Sequence, residues 1–425
     1  MNEQIKQRIA QLNNGEVPSG YEKTEFGVFP CDWVTNKKLK DLGTFGKGKG
    51  LPGDKMTSEG VPCVGYGDIY MKYNHFHFEE AQTFVDEETA SESQPIQKGT
   101  LLFTGTGETA DEIGKCVCYN GDETIYAGGD IITFVSNKVN PLFLAYQQYQ
   151  EFSLRKKASY GQGHSVVHIQ RENLEKLNVA YPKSTEEQSR IAEILMKWDE
   201  AIQLHEQLVE QLTNRKNAIT YNLLTGAFRL PGFSEEWKER EISTYLEIRD
   251  TQQVPTEEAP LMAFVAGVGI VDKGERYDRS FLVKDDAKKY KRTEMDDFIY
   301  SSNNLDVGSI GLNKYGTAVI SVVYEIFKVK SNAVPLVISE IIQLPYNLNK
   351  ILSFRQGALY GQYKIHAQDF LSVKIKVPSY EEQEKIAKFI CLLDEELRAK
   401  QEYLEKIKHQ RKALQQYLLN GIVRV

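Results

Sequence analysis

Apolar residues recur at alternating spacings of four and three along two stretches of the chain, the pattern of a helix that buries one narrow stripe. The first seam runs Ile191, Leu195, Trp198, Ile202, His205, Val209, Leu212, Lys216, Ile219, Leu223. The second runs Ile386, Ile390, Leu393, Leu397, Lys400, Leu404, Ile407, Arg411, Leu414, Leu418. Eight of the ten positions are apolar in each, and the polar breaks coincide: His205 with Lys400, Lys216 with Arg411. Polar seam residues fix register and orientation at some cost in stability, so His205 is expected to be structural. From Glu186 to Leu223 such a helix is on the order of 57 Å long at ~1.5 Å per residue, which suits a coiled coil better than a packed domain.

The two stretches are copies. Ser184 to Arg229 returns as Ser379 to Arg424 at a constant offset of 195 without insertion. Glu186, Glu187 and Gln188 recur as Glu381, Glu382 and Gln383, Ile191 and Ala192 as Ile386 and Ala387, and Asp199 and Glu200 as Asp394 and Glu395. Leu223, Leu224 and Gly226 recur as Leu418, Leu419 and Gly421. A capping box, Ser184 with Glu187 or Ser379 with Glu382, opens each helix just after Pro182 or Pro378. Gly226 and Gly421 stand where a left-handed cap would end it.

Between the helices the period falls to two. Short β-rich runs broken by Gly, Asn and Thr turns fill both intervening segments, and they match loosely: FPCDW at Phe29 with FSEEW at Phe233, LLFTGTG at Leu101 with FIYSSNN at Phe298, IITFV at Ile131 with YEIFKV at Tyr324. A Tyr-Gly-Gln element closes each, at Tyr160 and Tyr360, followed by His168 or His366. The expected fold is α+β, two mixed α/β globules alternating with two long helices that form an antiparallel coiled coil with pseudo-two-fold symmetry. The expected divisions are a helical arm at 1–19, globules at 20–182 and 229–377, and helices at 183–228 and 378–425. The arm carries Ile5, Ile9 and Leu12 at helical spacing and is expected to pack near the long helices. Such an object suits a bipartite, asymmetric double-stranded DNA target, because half-sites fall at spacings of about 34 to 36 Å or multiples.

Composition sets limits on this picture. Hydrophobic content of 41% is ordinary for globular chains. No run of about 18 apolar residues is present, and the start MNEQIKQRIAQLNNGE is polar where a signal peptide is apolar, so a cytoplasmic protein without membrane association is expected. The five cysteines are scattered, and the pair Cys116 and Cys118 has no second cluster to complete a metal site, so no metal is expected. A net charge of −7 excludes a protein coated in positive field. Local basic clusters remain, at Lys37, Lys38, Lys40, Lys47, Lys49 and Lys55 and at Lys288, Lys289, Lys291 and Arg292.

The order of globule, Pro-x-x-x-Glu-Glu-Gln-x-x-Ile-Ala helix, globule, same helix resembles the specificity subunits of type I restriction-modification systems. The opening GYEKTEFGVFPCDW, the helix starts at Glu186 and Glu381, and the ends LLTG and LLNG at Leu223 and Leu418 all look like that family, over nearly the whole chain. One departure is the arm from Met1 to Gly20. The resemblance implies that the globules are target-recognition domains and that the coiled coil is both a ruler and a surface for two methyltransferase subunits, which restriction and translocase subunits join. It implies no catalytic residue in this chain, with S-adenosylmethionine, ATP and Mg expected only on the partners.

Sequence readout needs forked donors and acceptors on loops held by phosphate contacts. The loops that fit are Gly46 to Gly50, Thr104 to Thr109, Tyr160 to Ser165, Ser301 to Asn304 and Tyr360 to His366. The candidate DNA-binding residues are Lys47, Lys49, Thr104, Thr106, Tyr160, Gln162 and His164 in the first domain, and Asn303, Asn304, Tyr360, Gln362 and Lys364 in the second. Catalytic signatures fall short: Asn140-Pro141-Leu142-Phe143 lacks the second proline of an adenine methyltransferase loop, GKGKG lacks the Walker spacing, and Asp296 with Asp297 reads as a solvated turn. The alternatives are a specificity subunit of another restriction architecture, with a combined methyltransferase-nuclease, and a coiled-coil scaffold that does not bind DNA.

Overall fold

The computed structural model describes residues 3–73, 76–163, 165–272, 288–302, 305, 309–355 and 364–425. It divides into two compact units, Met1–Gln207 with Glu402–Val425, and Leu208–Gln401. Each long helix is continuous, Thr185–Thr225 and Tyr380–Leu419, so each unit contains half of both.

The first unit is built on a five-stranded sheet in the order Gly43–Lys47, Ile131–Ser136, Thr100–Thr104, Cys116–Tyr119, His77–Phe78. A four-stranded sheet lies over it in the order Thr83–Val85, Val61–Val64, Ile125–Ala127, Gln94–Ile96. The central strand Thr100–Thr104 is buried throughout, and its alternation assigns its side chains to two cores. Leu101 and Phe103 join Phe143 and Tyr146 of the helix Pro141–Gln147, whereas Leu102 joins Val64, Ile96 and Ile125 of the second sheet. That double burial is why the run reads as continuously apolar.

The second unit repeats the design with shorter strands. Its main sheet runs Leu246–Ile248, Tyr324–Val329, Phe298–Ser301, Ile310–Leu312, and a three-stranded sheet runs Gln252–Gln253, Tyr290–Thr293, Ala318–Ile320. Phe298 and Tyr300 face one core and Ile299 the other, so LLFTG and FIYSS are the same central strand. In each unit an antiparallel ladder feeds the long helix: Asn178–Pro182 pairs with Trp33–Lys38, and Lys374–Val377 with Lys238–Glu241.

The helix halves run antiparallel inside each unit. In the first, Glu187 meets Arg424, Asp199 meets Arg411 and the His205 ring lies 5.1 Å from that of Tyr403, tilted by 42°. In the second, Lys216 meets Asp394, and Leu223 and Leu224 share a core with Ile386 and Ile390. Of the seam, Ile191, Leu195, Ile202, Ile386, Ile390 and Ile407 are buried, and Trp198, Leu212, Leu393 and Leu397 are half-buried. His205 is structural, its Nδ1 2.9 Å from Ala201 O. Gly226 and Gly421 end the helices at φ +73° and +66°.

Three expectations are corrected. The capping box is half formed: Ser184 Oγ accepts from Glu187 N at 3.2 Å and Ser379 Oγ from Glu382 N at 3.4 Å, but the two glutamates turn to arginines. Asp297 is buried rather than solvated, bound to Arg249 at 2.7 Å, and burial raises its pKa above the usual carboxylate value. The later basic cluster is partly neutralised, Lys291 by Glu325 at 2.7 Å and Arg292 by Glu294 at 3.3 Å. Cys116 and Cys118 lie buried in one strand, where desolvation pushes the Cys116 thiol up to about 12.

Candidate nucleic-acid interface

In the first unit, several loops converge on one end of the main sheet. The strand Gly43–Lys47 ends there, and Gly48 N donates to Ile131 O at 2.8 Å while Lys49 N donates to Ala127 O at 3.0 Å. A side chain at Gly48 would collide with Gly128 O, 1.7 Å from the ideal Cβ, so glycine permits this close approach and leaves Lys47 and Lys49 exposed on either side. Lys37, Lys38 and Lys40 precede that strand and lie toward its other end, so the early basic cluster splits.

Beside these lysines, Gly105 N donates to Asp130 O at 2.8 Å and accepts Ile169 N on its own carbonyl at 3.0 Å. This joins the loop after Thr104 to the Tyr-Gly-Gln element. Gln162 and His168 exchange backbone hydrogen bonds of 3.0 and 2.8 Å, and Thr106 Oγ1 lies 3.1 Å from His168 Nδ1. Gln162 and His168 are exposed, Thr106 and Tyr160 half-buried, with Lys156 Nζ over the Tyr160 ring at 5.1 Å. Thr104 is different: it is fully buried, 2.7 Å from Tyr70 Oη, and supports the loop from beneath. His164 lies outside the described residues. Glu108, Asp111 and Glu112 share this end, so the positive field is local to Lys47, Lys49, Lys115 and Lys156.

The second unit makes the same junction. Ile365 N donates to Ser302 O at 3.1 Å, as Ile169 does to Gly105, and Tyr300 Oη donates to Ile365 O at 3.1 Å. Lys364 is exposed beside it. Asn303, Asn304, Tyr360 and Gln362 lie outside the described residues. Sequence reasoning missed a further element at this end: the helix Tyr66–Met71 in the first unit and the hairpin Met262–Val265 with Gly269–Asp272 in the second. Its signal was available in the glycines around Tyr66 and Val268.

Anchorage to the long helices explains the Glu-Glu-Gln motif. The Gln188 side chain accepts from Asn140 N at 2.8 Å and donates to Pro182 O at 2.8 Å, and Gln383 accepts from Val334 N at 2.8 Å and donates to Pro378 O at 3.1 Å. Each buried glutamine thus ties a domain helix to the turn that launches the spacer. Asn140 is the cap of that domain helix, its Oδ1 accepting from Phe143 N at 3.1 Å. The second glutamate forms a forked pair with the arginine just beyond the other helix: Glu382 with Arg229 at 2.7 and 2.8 Å, and Glu187 with Arg424. Trp237 Nε1 adds a hydrogen bond of 3.1 Å to Glu382, and Asp32 takes the remaining face of Arg424 at 3.0 and 2.8 Å.

Comparison with known proteins agrees with this construction. The type I restriction modification DNA specificity domain matches twice, over residues 30–214 and 234–409. The chain belongs to that family of DNA specificity subunits, which select the DNA target of a type I complex and imply methyltransferase and restriction partners. It is 25% identical over 430 residues to a Methanocaldococcus jannaschii protein named as the MjaX specificity subunit of a type I restriction enzyme, covering 95% of this chain and 97% of that one. The fold is also that of the S subunit of a type I system from M. genitalium, with TM-score 0.53 and 15% identity over 91% of this chain and 96% of that one. A chain from a structural study of complex assembly and conformational transition in the type I R-M system gives TM-score 0.56 at 14% identity, over 96% and 100%. Among the described residues no helix is long and apolar enough to cross a membrane.

Proposed function

We propose that each reading end recognises one half of a bipartite, asymmetric DNA site, while the spacer helices hold the halves at a set separation and carry two methyltransferase subunits. The observation that supports this most directly is the repeated junction, Gly105 with Ile169 and Ser302 with Ile365, at the loop-bearing end of two sheets of one design. Lys47 and Lys49 contact phosphates, whereas Gln162, Thr106 and His168, with Asn303, Asn304, Gln362 and Lys364, address base edges. The chain acts in the cytoplasm and carries no catalytic group. Methyl transfer from S-adenosylmethionine and ATP- and Mg-dependent translocation and cleavage occur on its partners.

The test is methyl transfer from labelled S-adenosylmethionine, with the chain alone and with its methyltransferase subunits. Transfer is expected only in the complex, to adenines of a split motif. Transfer by the chain alone, or equal transfer to unrelated sequences, would contradict the proposal. Replacing Lys47 or Lys49 by Ala should weaken binding to all sequences alike and reduce the log-log salt slope by about one. Replacing Gln162 should instead relax the motif at one position.

A further inference from the structure

In the second unit, Leu261 bridges Val319 in parallel, and the strand Met262–Val265 continues alongside Ala318–Ile320 before folding back as Gly269–Asp272. The hairpin tip therefore projects past the end of Ala318–Ile320, where the chain turns through Val322 and Val323 into Tyr324–Val329. Gly267 and Gly269, at φ +71° and +97°, make the tight return possible. Tyr324 Oη donates to Phe264 O at 3.0 Å, which holds the hairpin beside the turn of Val322 and Val323, and Ser302 N and Oγ both donate to Val323 O, at 3.3 and 3.0 Å, which holds that turn at the reading end.

Four valines are exposed on this rim, Val268 at 70%, Val265 at 41%, Val322 at 49% and Val323 at 42%. These side chains form an apolar rim open to water. Here it is continuous with Ser302 and, through the Ile365 hydrogen bond, with Lys364. In the major groove, one base-edge group is apolar, the C5 methyl of thymine, and small aliphatic side chains are its complement. We propose that the Val265–Val268 tip, with Val322 and Val323, reads thymine methyl groups in the half-site of the second domain. This rests on that domain being a reader of DNA. In the first unit the matching strand, Val61–Val64 in parallel with Ala127, leads instead into Tyr66–Met71, with Tyr66 at 42% exposure. Unlike side chains at one station are what two readers of unlike half-sites require.

The experiment measures methyl transfer by the assembled complex on duplexes carrying its recovered motif, with deoxyuridine replacing each thymidine of the second half-site in turn. At least one replacement should slow transfer on the order of fourfold, the worth of one buried methyl. Val268→Ala, on an exposed tip and with an unchanged melting curve, should slow transfer on the thymidine duplex and lose its sensitivity to deoxyuridine there. Three results overturn the proposal while leaving the domain a reader: a second half-site without A·T pairs, full rates on every deoxyuridine duplex, or the same sensitivity in Val268→Ala. Equal rates on all sequences would remove both the proposal and the reading beneath it.

Discussion

The polar layer of the spacer is built twice from the same positions and comes out differently. In the first unit Arg411 and Asp199 are sealed, with side chains 9% and 5% exposed, and the guanidinium lies 4.3 Å from the centre of the Phe76 ring and 5.5 Å from that of Tyr146. Tyr146 Oη also donates to Asp199 at 2.8 Å. In the second unit the equivalents are Lys216 and Asp394, 25% and 38% exposed, and Glu340 stands on the domain helix where Tyr146 stands on the other. A planar guanidinium packed against aromatic rings can be dried out, whereas an ammonium paired with the half-exposed Asp394 keeps contact with water. The first domain is thus locked to both helices by charge, and the second is held mainly by its apolar layer and by the arginine clamp.

The largest effect expected from this contrast is for Arg411→Ala, which strands Asp199 in the core and should cost about 3 to 5 kcal/mol. Urea unfolding of the full chain measures it, and a loss below about 1 kcal/mol would equate the two layers. Arg229→Ala leaves buried Glu382 with Trp237 alone and should cost about 2 to 4 kcal/mol, with Arg424→Ala lower because Glu187 and Asp32 are the more exposed partners. Lys216→Ala should cost no more than about 1 kcal/mol by the same measurement, because its pair is screened by solvent.

The smallest effect is a pH dependence confined to the second unit. Burial raises the Glu340 pKa above the usual carboxylate value, with Asp394 adding to the rise and Lys216 opposing it. The folded state therefore holds this proton more tightly than the unfolded chain, and the associated stability falls as pH rises from the unfolded pKa through the folded one. Glu340→Gln should gain on the native protein across that window and stay level below it. A constant difference at every pH would show that the carboxyl ionises freely in the folded protein.

The helices and their antiparallel pairing were legible because heptad spacing and an offset of 195 are properties of the sequence alone. The central strands were legible too, since double burial leaves an unbroken apolar run. What the Glu-Glu-Gln motif binds was not: Arg424 is 237 positions from Glu187, and Arg229 is 153 from Glu382. Local capping chemistry predicted a bond that the distant arginines captured. Thr104 opens the run to Thr109 that reads as a loop, but it is the last residue of its strand, which places it inward. The valine-tipped hairpin was missed because exposed aliphatic residues resemble core strand until the register shows which end projects.

The proposed function requires that each unit read DNA independently. Exchanging residues 20–182 for the corresponding domain of another specificity subunit, then sequencing the methylome of a host carrying the chimera, tests it directly. The expected result is a motif changed in one half, with the other half and the gap preserved. A motif changed in both halves, or in neither, would contradict independent recognition by the two units.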